Sequence, residues 1–467
     1  MTQAVLDYLK ADAQPAVARL CDLLSIASVS TDPAYKKDIT RGAEWVAQQL
    51  RDLWLDVEIH ETGGHPAVVA KTRDKDVANP DGPRALFYGH YDVQPPDPLE
   101  KWTTPPFEPT IRDGSIYARG ASDDKGQVMC FIEALRAWRN GSPDGKIPVP
   151  VTVLIEGEEE IGSINLQPFV AKHKEILACD VVLISDTSMW DTAAGPVPAI
   201  TYGLRGLLYF DIQLHGPDRD LHSGVYGGTL ANPCTILTRI LGNLFDAKHR
   251  VTFPGYYDDV ASPTEEELAN WAKLDFDPMA FMQSIGMTQP YGEHGCSTLE
   301  RRWTRPACDV NGIYGGYMGK GAKTVIPSFA GAKVSFRLAA NQDPQKIAHA
   351  FVEWLKHQPT HGLRWEITPL GEAAPVAVST TSPYIAAAKR AYVTSAGREP
   401  VLVREGATIP IVADFKRELG VDSLLIGFGR SDDRLHSPNE KFDLACFQLG
   451  CRTHAALLGE IGKFVRY

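Results

Sequence analysis

The sequence predicts an α/β protein: a mainly parallel sheet with helices on both faces, interrupted by a smaller inserted α+β domain. Three observations predict it. Apolar runs of strand length alternate with segments of helical spacing between Ala85 and Ser185. The pattern changes near Thr201, where a new strand and then a helix begin. The first pattern returns near Ser382. Alternation of strand and helix argues for parallel pairing. A break that later closes is most economically an insertion, which divides the chain into 1–202, 203–382 and 383–467.

The elements follow in order. Ala85–His90 (ALFYGH) is an apolar strand ending on a polar residue, and Gly126–Trp138 carries apolar residues at helical spacing. Val149–Ile155 is a strand that runs into Glu158-Glu159-Glu160, and Val181–Ser185 is another that stops at Asp186. In the insertion, Leu207–Leu214 (LLYFDIQL) reads as a strand and Asn232–Phe245 as a helix. Ser262-Pro263-Thr264-Glu265-Glu266 reads as a helix start: a capping residue, a proline, then acids in the first turn. A strand (Lys333–Leu338), a helix (Pro344–His357) and a strand (Leu363–Thr368) complete it. After Ser382 come a helix, the strand Ser423–Phe428 and a C-terminal helix. The glycine-rich stretch Gly312–Gly321 lacks the spacing of a phosphate loop and reads as a flexible loop.

Composition narrows the function. The chain is 44% hydrophobic and 22% charged, with a net charge of −11. That is an ordinary globular balance. An acidic protein gives no electrostatic reason to expect nucleic acid or an anionic membrane as partner. Asp7, Lys10 and Asp12 break any apolar run in the opening segment, so no secretory signal is expected there. The eight cysteines are scattered without a CxxC pair. Reduced thiols in a cytoplasmic protein are the matching expectation.

The polar residues at the strand ends carry the chemistry. His90, Asp92, Asp123, Asp124, Glu159, Glu160, Asp186 and His436 form the strongest constellation. Parallel sheets gather ligands beyond the carboxyl ends of their strands. Any one of these acids alone would be read as a solvated or capping residue; their joint placement is the signal. Imidazole and carboxylate together suit zinc, manganese or cobalt rather than calcium or magnesium. Two ions a few ångströms apart can share a water and lower its pKa. Asp92 stands where it could orient the His90 imidazole. Adjacent Glu159 and Glu160 could divide the work, one as base and one as ligand. There is no HExxH and no GxSxG motif.

The stretches YGHYDVQP, ARGASDDKG, EGEEEIGS, ISD and SDDRLHSPNE resemble the M20 metallopeptidase family, above all its cytosolic nonspecific dipeptidase and carnosinase-like branch. RDLHSGVYGG, GAKTVIP and REGATIP extend the likeness along nearly the whole chain. The resemblance implies a catalytic domain in 1–202 and 383–467, with 203–382 as a lid and dimerisation domain. It implies one metal on His90, Asp123 and Asp186, and another on Asp123, Glu160 and His436, with Asp123 bridging. Glu159 would be the general base that activates the shared water. His222 and Thr324 would reach a partner subunit's site in a homodimer. Arg337 would grip the substrate carboxylate, with Thr408 and Glu405 as further substrate-binding positions. The Asp123–Asp124 bond matches one that is cis in relatives.

The function so implied is hydrolysis of dipeptides or very short peptides with two Zn²⁺ or Mn²⁺ ions. Asp186 favours the peptidase branches, since the deacylase and carboxypeptidase branches usually carry Glu at that position. Ala407-Thr408 departs from the Gly-Ser of near relatives, and the added methyl groups would narrow a pocket. The rival readings are an N-acyl amino acid deacylase on the same fold and a noncatalytic binding homologue. The latter would be expected to lack a ligand or Glu159.

Overall fold

The computed structural model describes residues 2–464. The chain divides into two compact units: Met1–Tyr202 with Val378–Val403 and Asp414–Tyr467, and Gly203–Ala377 with Arg404–Ala413. Among the described residues no helix is long and apolar enough to cross a membrane.

In the first unit the central sheet has the order Asp56–His60, Ala67–Lys71, Val151–Glu156, Ala85–His90, Val181–Ile184, Ser423–Leu425, and then Ala199–Leu204, along which the chain leaves the unit. Pairing is parallel from Val151–Glu156 through Ser423–Leu425 and antiparallel on both flanks. The parallel centre follows from the sequence. Ala85–His90 and Val181–Ile184 are buried at every position, as continuous apolar runs covered on both sides should be. The helix Lys125–Gly141 is buried along most of its length and packs against Leu444–Ile461. Phe131 of that helix stacks on Phe87 of the sheet at 4.0 Å. A small side sheet pairs Lys441–Asp443 with Ser115–Tyr117 and Thr110–Arg112.

The second unit is built on an antiparallel sheet ordered Ala307–Gly315, Phe329–Leu338, Gly206–His215, Arg364–Ala373. Burial alternates residue by residue along Gly206–His215, the signature of a strand with one core face. Leu208, Phe210, Ile212, Leu214, Val334 and Phe336 form that face, and Phe351 of the helix Pro344–Lys356 packs on it.

Several expectations are corrected. The helix start near Ser262 is capped by Thr264 instead, whose side chain accepts from Glu267 N in a capping box; Pro263 lies outside. Part of Gly312–Gly321 is not loop, because Ala307–Gly315 is an edge strand paired with Phe329–Leu338. The strand at Ser423 ends at Leu425. Beyond it, Gly427 passes so close to Thr187 that a Cβ would lie 1.8 Å from its carbonyl oxygen. The segment Arg404–Ala413, placed by sequence within 383–467, clusters with the second unit. The reason is local: Arg404 pairs with Glu267, Arg205 Nε donates to the Gly406 carbonyl at 3.1 Å, and Thr408 Oγ1 donates to the Arg205 carbonyl at 2.6 Å.

Candidate active site

The sheet of the first unit brings the strand-end residues together. His90 ends its strand, Glu159 opens a 3₁₀ turn after Val151–Glu156, and Asp186 follows Val181–Ile184 by two residues. Asp123 and Asp124 immediately precede the helix Lys125–Gly141, and the bond between them is cis. Gly89 permits this approach, since a Cβ there would lie 2.5 Å from Val128 Cγ2 and 2.8 Å from Asp124 Oδ2. His436 comes from the loop before Lys441–Asp443.

Two groups of potential ligands result, each with ligand atoms within 4.8 Å of one another: His90, Asp123, Asp186, and Asp123, Glu160, His436. Asp123 belongs to both. Its Oδ1 stands 3.3 Å from His90 Nε2 and its Oδ2 2.9 Å from His436 Nε2, while Glu160 Oε2 stands 3.4 Å from His436 Nε2. Asp123 therefore points one oxygen into each group.

The electrostatics are those of a cation site. Burial pushes Asp186 up to about 6 and Glu160 up to about 9, with repulsion from Asp123 adding to both. Burial also holds Glu159 well above the usual carboxylate range; His90 opposes this, and Asp186 and Glu160 reinforce it. Burial would raise Asp123 too, but hydrogen bonds with His436 and His90 outweigh it and hold Asp123 low. Two imidazoles do not balance this many buried carboxylates, whereas divalent ions would. His90 Nε2 is buried and faces the shared carboxylate of Asp123 at 3.3 Å, the direction a metal-facing imidazole nitrogen should take. The donor set thus fits two divalent ions, and its mixture of nitrogen and carboxylate fits zinc or manganese.

Asp92 stands beside the His90 imidazole, as expected, and has a second task. His90 Nδ1 lies 3.1 Å from the Asp92 backbone carbonyl, and the Asp92 carboxylate stands 3.4 Å off. That carboxylate also accepts from the backbone N–H groups of Glu159 (3.2 Å) and Glu160 (3.1 Å). It holds the acidic turn, and its main chain orients the imidazole. Sequence reasoning missed other supports. Gln94 Nε2 donates to Glu160 Oε2 at 2.8 Å. Buried Glu156 accepts from Tyr88 Oη at 2.6 Å and Ser163 Oγ at 2.8 Å, tying the turn back to the sheet. Glu156 was findable as the polar end of an apolar run; Gln94 carried no such signal.

The remaining predicted residues lie in the second unit. His222 and Thr324 are both exposed and come together through the pairing of Leu221–His222 with Val325–Ile326. His222 Nδ1 accepts from Gly224 N at 2.9 Å. This leaves the proton of the neutral ring on Nε2. Arg337 is half-buried on Phe329–Leu338, and its Nη1 donates to Thr408 Oγ1 at 2.9 Å. Glu405 does not join them through its side chain; its Oε1 accepts from Gly406 N at 2.7 Å within its own loop.

Comparison with known proteins gives the family. The profile of peptidase family M20/M25/M40 matches residues 86–460. The chain is 33% identical to the Cys-Gly metallodipeptidase DUG1 of Candida albicans, over 96% of this chain and 94% of that one. It is 32% identical to the Beta-Ala-His dipeptidase of Homo sapiens, over 99% and 93%. Among solved structures, human carnosine dipeptidase 1 superposes with a TM-score of 0.83 at 30% identity, covering 99% of each chain. An M20 family metallo-carboxypeptidase from Sulfolobus solfataricus superposes with a TM-score of 0.86 at 32% identity, covering 96% and 99%. The strand-end carboxylates, the histidines that complete them and these full-length matches lead to one conclusion: the chain belongs to peptidase family M20/M25/M40.

Proposed function

We propose that the chain is a dinuclear metal-dependent dipeptidase that cleaves the peptide bond of dipeptides or very short peptides. The single observation that carries this is the pair of ligand groups sharing Asp123. His90, Asp123 and Asp186 would hold one Zn²⁺ or Mn²⁺, and Asp123, Glu160 and His436 the other. When bound, such ions would polarise the amide carbonyl and lower the pKa of the attacking water. The Glu159 carboxylate takes the proton from the attacking water and returns it to the nitrogen of the leaving amine. Asp92 keeps Glu159 in place by accepting from its backbone N–H. Arg337 pairs with the free carboxylate of the substrate, a contact suited to a planar guanidinium. Thr408 braces Arg337 through the 2.9 Å bond to its Nη1.

We further propose that the second unit, read from the sequence as residues 203–382, is a lid and dimerisation domain. In a homodimer, His222 and Thr324 of one subunit would complete the site of the other. The His222 ring, with its proton on Nε2, donates to the oxyanion that forms on the amide carbonyl.

A second reading draws on the 32% identity to a metallo-carboxypeptidase: removal of C-terminal residues from longer or N-blocked peptides. Amide cleavage of N-acyl amino acids is the third. One assay separates them, with purified metal-loaded protein given free dipeptides, N-blocked dipeptides and N-acetyl amino acids side by side. Free dipeptides should be cleaved with by far the highest kcat/KM. A preference for N-blocked substrates would replace the dipeptidase reading with the carboxypeptidase one, and a preference for N-acetyl amino acids with the deacylase one.

A further inference from the structure

We propose that Glu440 is a positioning residue that sets the separation of Asp123 and His436, and so the affinity of the second ligand group for its ion. The inference rests on the dinuclear reading above and deepens it. Glu440 is fully buried. Its Oε1 accepts from Ser122 N at 3.0 Å and Asp123 N at 3.1 Å. Its Oε2 accepts from Gly120 N at 2.9 Å and Arg119 Nη1 at 2.7 Å. These donors use the acceptor capacity of one carboxylate, which is about four sites. The backbone of Asp123, a residue shared by both ligand groups, is therefore held by a residue four places beyond His436 in the chain.

The other end of the His436 loop is tied to the same place. Asp433, also buried, accepts from Ser122 Oγ at 2.8 Å and from Arg430 N at 2.8 Å. Asn439 adds bonds to Thr103 N at 2.7 Å and to the Lys101 carbonyl at 2.8 Å. Between the two carboxylates the backbone is left-handed at three residues that are not glycine: Arg434 (φ 58°), His436 (φ 56°) and Asn439 (φ 63°). Such conformations persist where the surroundings over-determine them. The His436 side chain is 55% exposed, and its recorded partners are Asp123 and Glu160. With the side chain half open to solvent, the position of the imidazole depends on the loop that carries it, and the loop is tied at Asp433 and Glu440.

Glu440→Gln keeps the shape and replaces one oxygen by an N–H donor, so two of the four donors lose their acceptor. The test is a Co²⁺ titration of metal-free protein, followed by visible absorption and by bound-metal analysis. His436→Ala marks which step belongs to the second group. The wild type should take up two ions per chain. E440Q should lose about 10–100-fold in affinity at the His436 step, with a smaller change at the other. Ser122→Ala, which cuts only the Asp433 tie, should show a loss in the same direction of about tenfold at most. Thermal unfolding of the metal-free proteins separates positioning from bulk stability. Unchanged Co²⁺ affinity in E440Q, whatever its melting temperature, would overturn the proposal. If E440Q does not fold, Glu440→Asp decides: the shorter side chain draws the carboxylate away from the same donors, and wild-type affinity there overturns the proposal equally. A wild type that binds a single ion would refute the dinuclear reading itself, and that result appears before any variant is made.

Discussion

His90 and His222, both proposed to serve catalysis, are built on opposite plans. His90 is fully buried at the end of a strand that is itself covered throughout, with its ring nitrogens facing Asp92 and Asp123. His222 is exposed on a two-residue strand, and its ring accepts a local hydrogen bond from Gly224 N. The same contrast holds for their neighbours. The acidic turn of the first unit is pinned by Asp92, while Thr324 of the second unit is open to solvent. Ligands that must hold charge at fixed distances need rigid backbone around them. A residue that acts only once substrate or a partner arrives does not. The difference teaches that the first unit contains a prepared centre, whereas the second offers side chains still to be engaged.

The comparison breaks most visibly at Glu159. Glu159→Gln should keep both metals and lose about 10²–10⁴-fold in turnover, the usual cost of removing a general base. Glu160→Gln should instead release one ion. Metal analysis beside single-turnover kinetics checks both, and the reverse pattern would exchange their roles.

Next in size is His222→Ala, for which a loss of about 10²–10³-fold in kcat is expected if the ring stabilises the oxyanion. Complementation sharpens this. Mixed dimers of Glu159→Gln and His222→Ala chains contain one site with intact Glu159 that receives His222 from the other chain. Activity should return towards one working site per mixed dimer. Subunit exchange shown by mass measurement, with no recovery, would place His222 within its own site or outside catalysis.

Arg337→Ala should raise KM for dipeptides by roughly 10–100-fold, the worth of a charge-assisted hydrogen bond. C-terminal amides of the same dipeptides should be affected far less. Equal losses for the two would remove the carboxylate contact.

The smallest effect concerns the core beneath the prepared centre. Burial lowers His454 to about 3, among Phe87, Phe131 and Phe428. Its ordinary value in the unfolded chain is ~6.5. A folded value below the unfolded one means that stability is full above that ordinary value and is lost as the pH falls towards the folded one. The loss attributable to His454 is at most ~1.4 kcal/mol per pH unit. Urea unfolding of the metal-free protein at pH 7, 6 and 5 should show a shallower decline for His454→Gln than for wild type. Parallel declines would show that His454 is not the titrating group.

Much of the centre was legible in the sequence because strands end abruptly. A carboxylate or histidine at the end of an apolar run is exposed by the pattern itself, as His90, Glu159 and Asp186 are. The sheet's parallel middle was legible for the same reason. What could not be read is whatever depends on a long-range partner. Glu440 accepts from backbone groups and Asp433 from the Ser122 hydroxyl, each more than 300 positions away, and no local pattern marks such a pairing. Spacing placed Asp92 beside His90 but could not show the bonds its carboxylate makes to Glu159 N and Glu160 N. Arg404–Ala413 was assigned to the wrong unit because its ties to Arg205 and Glu267 are tertiary. The cap at Thr264 was displaced by Ser262-Pro263, a pair that imitates a helix start.

The most direct test of the central claim is activity against metal content. Protein stripped by exhaustive chelation and verified metal-free should not hydrolyse a dipeptide. Stepwise addition of Zn²⁺ or Mn²⁺ should restore turnover, and the plateau should come at two ions per chain. Full hydrolysis in the verified metal-free preparation, or a plateau at a single ion, would contradict the account.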